Sequence, residues 1–488
     1  MEIAIMIIYG FALTLILFYS LMQMSLVINY LKYKKRKQEI PDSLLNGKGR
    51  LPLVTIQLPV FNEKYVVERL LNAVAKFDYP RQRMEIQLLD DSTDETVEIS
   101  RKKVDELKKQ GFNIELLQRE KRIGFKAGAL DEGMQKAKGE YIAIFDADFI
   151  PEPDFLKRTL PYFGNDRTGV VQTRWGHINK DYSLLTRLQA FGLDAHFSVE
   201  QGGRNQGGHF INFNGTAGVW RRTTIDDAGG WEHDTLTEDL DLSYRAQMKG
   251  WKFVFLEEVE TPAELPIVMS AVKSQQFRWN KGGAENFRKM LGRIFSTPGI
   301  PFKTRMHGFF HLLNSAIFLC VLTAALLSVP LLFVKHANPE YNMIFDISSI
   351  FLLCTIILMI FYWNAYREKT RTFFINAANF FREFILFLST TMGLSFHNSV
   401  AVVEGYLGKK SSFVRTPKFN VVNPRQKIAH NHYVSKSINL ITFIEGILCM
   451  YFLFGIVFGI VLQEYGLLPF HLMLCWGFGY VFYYSLKN

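Results

Sequence analysis

Tyr141-Ile142-Ala143-Ile144-Phe145-Asp146-Ala147-Asp148 is an apolar run that ends in two carboxylates. A short run bounded in this way reads as a buried strand, and the acids read as the point where the chain leaves a sheet. Phe149 and Ile150 follow, so both acids stand in an apolar setting where uncompensated charge is costly. A divalent cation would compensate them. Oxygen ligands with no His or Cys nearby favour Mg2+ or Mn2+ over zinc. A metal held by few carboxylates commonly completes its shell with substrate phosphates.

The same pattern extends upstream. Residues 53–60 read as a strand, 63–77 as a helix, and 85–90, Glu-Ile-Gln-Leu-Leu-Asp, as a second strand ending in acid. Residues 93–110 read as a helix rich in Lys and Glu, 113–117 as a short strand and 125–137 as a helix. Strands alternating with helices imply a parallel sheet with helices on its faces. Ligands of such sheets bind beyond the carboxyl ends of the strands. Asp90, Asp91, Asp146 and Asp148 all fall at those ends, where one crevice would hold them. For Asp90-Asp91 an ordinary helix cap or turn explains the residues equally well. The sequence has no G-x-x-x-x-G-K-[ST] loop, which argues against a P-loop NTPase. Lys126 lies near a helix start, where anions are favoured.

Outside this domain the chain changes character. Of its 488 residues, 48% are hydrophobic, near the globular average, but they are unevenly placed. Residues 3–30, 308–334, 343–365, 438–462 and 466–485 are almost free of charge. Each can cross a hydrocarbon core of about 30 Å, which takes about 20 residues. Residues 50–300 carry soluble patterning. The chain therefore reads as a multi-pass integral membrane protein, with one domain between a first transmembrane helix and four more. A cleaved signal peptide competes for residues 3–30, but a basic leading region is missing and the apolar run is too long. Lys32, Lys34, Lys35, Arg36 and Lys37 put the end of the first helix, and with it the domain, in the cytosol. The basic loop 408–436 belongs on the same side. Residues 372–405 are apolar yet hold Arg382, Glu383, His397, Asn398 and Glu404; an interfacial or re-entrant helix there keeps that loop inside.

Much of the net charge of +10 sits in loops that face anionic membrane lipids. A nucleic-acid partner is not implied, because a basic groove with aromatic platforms is not evident. Cys320, Cys354, Cys449 and Cys475 all fall in apolar segments without zinc or disulfide spacing, and read as small buried hydrophobes.

Six motifs occur in a fixed order: Gln57-Leu58-Pro59-Val60-Phe61-Asn62-Glu63, Asp90-Asp91, Lys126-Ala127-Gly128-Ala129-Leu130, Asp146-x-Asp148, Thr237-Glu238-Asp239 and Gln275-x-x-Arg278-Trp279. Together they resemble the family-2 glycosyltransferases, and the last resembles the membrane-bound, usually processive branch that includes cellulose, hyaluronan and mannan synthases. Val171-Gln172-Thr173-Arg174-Trp175, Phe213 to Arg221 and Phe413-Val414-Arg415-Thr416-Pro417-Lys418 resemble in particular the cellulose-synthase-like mannan and xyloglucan-backbone synthases and their bacterial relatives.

This resemblance implies a GT-A fold, a Rossmann-like α/β cytosolic glycosyltransferase domain, beside the helical transmembrane region. It implies a nucleotide-sugar donor, UDP-glucose or GDP-mannose, and an acceptor that is a growing polysaccharide or a lipid. Asp90 and Asp91 would place a carboxylate on the base and ribose, and Lys126 would contact the diphosphate. Asp146 and Asp148 would hold Mg2+ or Mn2+. Asp239 would be the general base beside Glu238. Gln275 and Arg278 would clasp the diphosphate, and Trp279 would stack under the terminal acceptor sugar. Asn214, Gly215 and Thr216 would line the acceptor side, and Phe413, Thr416 and Lys418 would form a gating loop. In that loop Arg415 stands where the family usually has Val. The membrane would be the plasma or inner membrane in a bacterium and the Golgi membrane in a plant.

Elementary chemistry agrees with these roles. An acceptor hydroxyl is a poor nucleophile at neutral pH, so a positioned carboxylate helps. A departing nucleoside diphosphate gains charge that a metal, a lysine and an arginine fork stabilise. Ordinary structural roles compete: Glu238-Asp239 as a helix cap, and Arg278-Trp279 as a cation–π pair at a membrane interface. The alternative activity is a single transfer onto a lipid acceptor, which makes a glycolipid.

Overall fold

The structure is a computed structural model that describes residues 1–34, 51–366, 372–422 and 439–487. Seven strands form one sheet: β1 (Val54–Val60), β2 (Met84–Asp90), β3 (Ile114–Leu117), β4 (Tyr141–Ile144), β5 (Thr168–His177), β6 (Gly218–Arg221) and β7 (Lys252–Ala263). Their order is β3-β2-β1-β4-β6-β5-β7. The first four pair in parallel, with Ile56 opposite Ile86 and Ala143. Both faces of this half are buried, because successive side chains alternate. Tyr141, Ala143 and Phe145 pack into one core, and Ile142 and Ile144 into the other.

The sheet is mixed rather than wholly parallel. Strand β6 runs antiparallel to both β4 and β5. After β5 the chain passes through the helices Leu184–Ala195 and Gln201–Gln206. It then re-enters the sheet from its carboxyl end, with Gly218 opposite Ile144. The loop that makes this entry holds Asn214, Gly215 and Thr216, and so lies beside Asp146.

Several element boundaries differ from the sequence reading, two of them for evident local reasons. The first helix of the domain spans only Val67–Val74, because the Glu63 carbonyl accepts from the N–H groups of Val66 and Val67 and closes a turn first. Strand β4 leaves the ladder at Ile144, and the Asp146 N–H donates to Thr216 Oγ1 at 2.8 Å instead.

Among the described residues five helical segments are long and apolar enough to cross a membrane: Glu2–Lys32, Phe302–Ala337, Pro339–Ala365, Leu440–Val461 and Tyr465–Lys487. The helices Phe373–Gly393 and Ser395–Tyr406 meet at a bend of 50°, as a broken span or a re-entrant loop would. Lys35, Arg36 and Lys37, and the part of the basic loop from residue 423 to 436, lie outside the described residues.

Candidate active site

A cavity of about 190 Å³ opens at the carboxyl ends of the parallel strands. Asp91, Lys126, Asp146, Asp148, Asn214 and Gly215 line it from the sheet side. Glu238 and Asp239 enter from the helix Glu238–Met248, and Gln275, Arg278 and Trp279 from the helix Met269–Ser296. Phe413, Thr416 and Lys418 close it from the basic loop. Two of the sequence-derived candidates, Asp90 and Thr216, are not on its wall.

Asp90 is buried, and its Oδ1 accepts from the Ser92 N–H at 2.9 Å. The ordinary turn role therefore describes its contacts. Asp91 faces the cavity, held by the Arg119 guanidinium through Nε at 2.9 Å and Nη2 at 2.5 Å. Arg122 lies beside it with its guanidinium over the Phe61 ring at 3.4 Å.

Thr216 is fully buried and acts on the site from behind. Its hydroxyl accepts from the Asp146 backbone, so it fixes the acid rather than lining the acceptor side. Thr216→Val keeps the shape and strands that buried N–H. The expected loss is about 1–3 kcal/mol of stability, measured by thermal or denaturant unfolding.

The two carboxylates of Asp146-x-Asp148 each meet an ammonium group. Lys126 Nζ donates to Asp146 Oδ1 at 2.5 Å and to the Gly215 carbonyl at 2.9 Å. Lys418 Nζ donates to Asp148 Oδ2 at 2.6 Å. Both acids are thus aimed into the cavity at positive charge, and their oxygen-only donor set fits a hard divalent cation.

Asp239 sits in the first turn of its helix, and its Oδ1 accepts from the Leu240 N–H at 2.8 Å. Capping does not use up the side chain. Gly215 has φ of 77°, and a Cβ built there would lie 3.0 Å from Asp239 Oδ2 and 3.3 Å from Lys126 Nζ. Burial, with the neighbouring Glu238 charge, raises the Asp239 pKa to about 7 against the pull of Lys126. Burial raises Glu238 as well. Burial alone would lower Lys126, but Asp146, Glu238 and Asp239 outweigh it and hold its pKa above the ordinary lysine value.

Arg278 pairs with the loop rather than with its neighbour Trp279. Its guanidinium lies 4.4 Å from the Phe413 ring centroid, and Nη2 donates to Thr416 Oγ1 at 2.8 Å. Phe413 in turn stacks on Phe125, with ring centroids 5.9 Å apart. Arg415, the departure from the family loop pattern, places Nη1 2.7 Å from Glu63 Oε2. Burial raises the Glu63 pKa to about 7 against Arg415 and Lys418.

Four non-glycine residues with positive φ lie within two residues of the cavity wall: Asn62 between Phe61 and Glu63, Phe125 beside Lys126, Ala217 after Gly215, and Asn420 after Lys418. Such backbone costs about 1–3 kcal/mol per residue and persists where surrounding structure holds it, commonly at functional sites. Sequence reasoning assigned no role to Arg69, Arg119, Arg122, Glu63 or Glu264. Of these, only Glu63 stood inside a quoted motif. Arg69 donates to the Asp148 carbonyl at 3.2 Å, and Glu264 accepts from the Phe419 N–H at 2.7 Å. Arg69 also meets Asn420 and Glu264, so the two brace the loop against the Asp148 segment across long sequence separations that no local pattern records.

Comparison with known proteins follows the same lines. The family described as "Glycosyltransferase like family 2" matches residues 52–282. "Glucomannan 4-beta-mannosyltransferase 7" of Arabidopsis thaliana is 41% identical over 300 residues, 59% of this chain and 54% of the relative. "Glucomannan 4-beta-mannosyltransferase 9" of the same plant is 39% identical over 363 residues, 70% of this chain and 67% of the relative. The chain thus spans about half to two thirds of the length of these curated relatives. A mannosyltransferase from Pyrobaculum calidifontis, solved with GDP-Man and Mn2+, covers 83% of this chain and is itself fully covered, at a TM-score of 0.55 and 18% identity. At that identity the likeness is one of fold, and it is the GT-A fold. The chain belongs to the cellulose-synthase-like, membrane-associated glycosyltransferases of family 2.

Proposed function

We propose that the chain is an inverting hexosyltransferase that extends a β-linked polysaccharide from a nucleotide sugar, with GDP-mannose as the preferred donor. The observation that carries this reading is the meeting of Asp239, with its pKa near 7, and the Lys126 ammonium at Gly215. A carboxylate of that pKa suits proton abstraction from a sugar hydroxyl. The names of the plant relatives support a mannosyl product over a glucosyl one.

In this mechanism Asp239 takes the acceptor proton as the hydroxyl oxygen attacks the anomeric carbon. The donor is α-linked to its diphosphate, attack comes from the opposite face, and the new linkage is β. Asp146 and Asp148 would hold Mg2+ or Mn2+, which supplies charge neutralisation at the diphosphate. Lys126 and Arg278 add fixed positive charge for the leaving group, and Gln275 adds an amide donor. Arg278 suits this because a planar fork can contact two phosphate oxygens. Asp91 with Arg119 and Arg122 borders the nucleotide end. Trp279 supplies an apolar platform for the terminal acceptor sugar, with Asn214 and Gly215 opposite. Phe413, Thr416 and Lys418 cover the donor.

The catalytic domain lies in the cytosol in this reading, since Lys32 and Lys34 follow the first apolar helix. The product leaves among the later membrane helices. Purified protein in lipid nanodiscs, given Mn2+ or Mg2+ with GDP-mannose or UDP-glucose, tests all of this. Nucleoside diphosphate release with a polymer from GDP-mannose is the expected result. A single sugar on lipid would replace the polymer reading with a glycolipid synthase. Trp279→Ala is expected to shorten or stop the polymer; unchanged product length would remove Trp279 from the acceptor site.

A further inference from the structure

The helix Met269–Ser296 has two working faces. Gln275, Arg278 and Trp279 turn toward the cavity. On the opposite side Lys273, Phe277 and Lys281, each one helical turn apart, form a stripe that faces the membrane-type helices. Lys273 Nζ lies 2.5 Å from Glu445 Oε2, on the apolar helix Leu440–Val461. The Glu445 side chain is fully buried and that of Lys273 is nearly so. The Lys273 carbonyl lies 2.9 Å from His397 Nε2, and the His397 ring meets Phe277 edge-on at 6.0 Å. Two turns on, the fully buried Lys281 binds Glu404 at 3.0 Å and Ser411 Oγ at 2.8 Å. At and just beyond the second pin the two helices pack backbone to backbone. A Cβ on Gly405 would lie 2.7 Å from the Lys281 carbonyl oxygen and 2.8 Å from Ala284 Cβ.

Buried ion pairs are a poor way to gain stability, because desolvation offsets attraction, and well-packed apolar residues often do as well. Their best-attested use is to fix one register among several. Here a loosened anchor would let the Trp279 platform shift against the membrane helices.

We propose that Lys273 and Glu445 are positioning residues that lock the Trp279 platform in register with the membrane helices, so that the acceptor end stays aligned with its way out between successive transfers. The inference rests on the polysaccharide reading above and assigns these two residues control of product length rather than of donor cleavage. Neither touches the cavity. The helix carries the clasp and the platform on one side and its anchorage on the other. A loosened anchor therefore acts on what must be handed from the cavity to the membrane.

The test uses the full chain in nanodiscs, with nucleoside diphosphate release and product size measured together. Lys273→Met combined with Glu445→Leu replaces the pair by apolar side chains, which guards against a merely misfolded variant. It is expected to release diphosphate at nearly the wild-type rate while the polymer shortens several-fold. The swap Lys273→Glu with Glu445→Lys restores the pair and is expected to recover product length. Polymer of wild-type length from the apolar double variant would overturn the proposal. So would a parallel fall of release and length in that variant, with no recovery in the swap. Failure of the polysaccharide reading shows separately, as a wild-type protein whose only product is a single transfer.

Discussion

Asp239→Asn is expected to lower turnover by about 10²–10⁴-fold, the usual contribution of a positioned base, while donor affinity changes little. The amide keeps the shape of the side chain and can still accept from the Leu240 N–H. What it loses is the ability to take a proton. Donor affinity measured by calorimetry beside initial rates of diphosphate release separates the two effects; retained turnover would remove Asp239 as the base. The pH dependence carries a sign. Burial and Glu238 raise the carboxyl to about 7, and only its ionised form is a base. The wild-type rate is therefore expected to climb as pH rises through about 7 and then level off. Lys126 remains charged over that range because the surrounding acids hold its pKa above the ordinary lysine value. The residual activity of Asp239→Asn should lack the climb. For stability the same shift acts in the opposite direction. A carboxyl whose pKa is raised on folding contributes stability that is full below its unfolded pKa and is lost as pH rises through about 7.

The parallel half of the sheet was legible because its strands are short, continuous apolar runs that end in acid. Both faces of such strands are buried, so no alternation was needed to find them. The reversal at β6 was not legible. Gly218-Val219-Trp220-Arg221 looks like any buried strand, and nothing local in four residues records the end from which the chain enters. The candidate acids were readable for the same reason the strands were: they terminate apolar runs. Their partners were not. Lys418 meets Asp148 across 270 residues and Arg278 meets Thr416 across 138, separations at which spacing carries no signal. Arg415 is instructive in between. Its mismatch with the family loop marked it, but only the fold supplied Glu63 as the reason for a cation there. Thr216 shows the converse error. A motif position was legible, whereas its role behind Asp146 depended on the reversed entry of β6.

Asp148→Asn is expected to cost about 4 kcal/mol of transition-state stabilisation, or about 10³-fold in rate, if the acid holds the metal that neutralises the leaving diphosphate. Rate alone would not identify the cause, because Asp148 also binds the Lys418 ammonium at 2.6 Å. Two further measurements separate these roles. Mn2+ binding followed by electron paramagnetic resonance should weaken strongly in Asp148→Asn. In Lys418→Met, where a competing cation is removed and both carboxylates remain, it should hold or tighten. Limited proteolysis within residues 413–422 should increase in both variants, since each breaks the same link between the loop and the sheet. Arg415 with Glu63 and Thr416 with Arg278 would still hold the loop in part. Unchanged Mn2+ affinity in Asp148→Asn would take the metal away from this acid and leave it as a loop anchor. Weakened affinity in Lys418→Met would mean that the lysine organises the carboxylate for the metal instead of standing in its place. The expected order of Mn2+ affinity, Lys418→Met at or above wild type and Asp148→Asn far below, follows from charge: an ammonium group 2.6 Å from Asp148 Oδ2 repels a cation at that carboxylate, whereas Asp148→Asn removes the negative charge that attracts it.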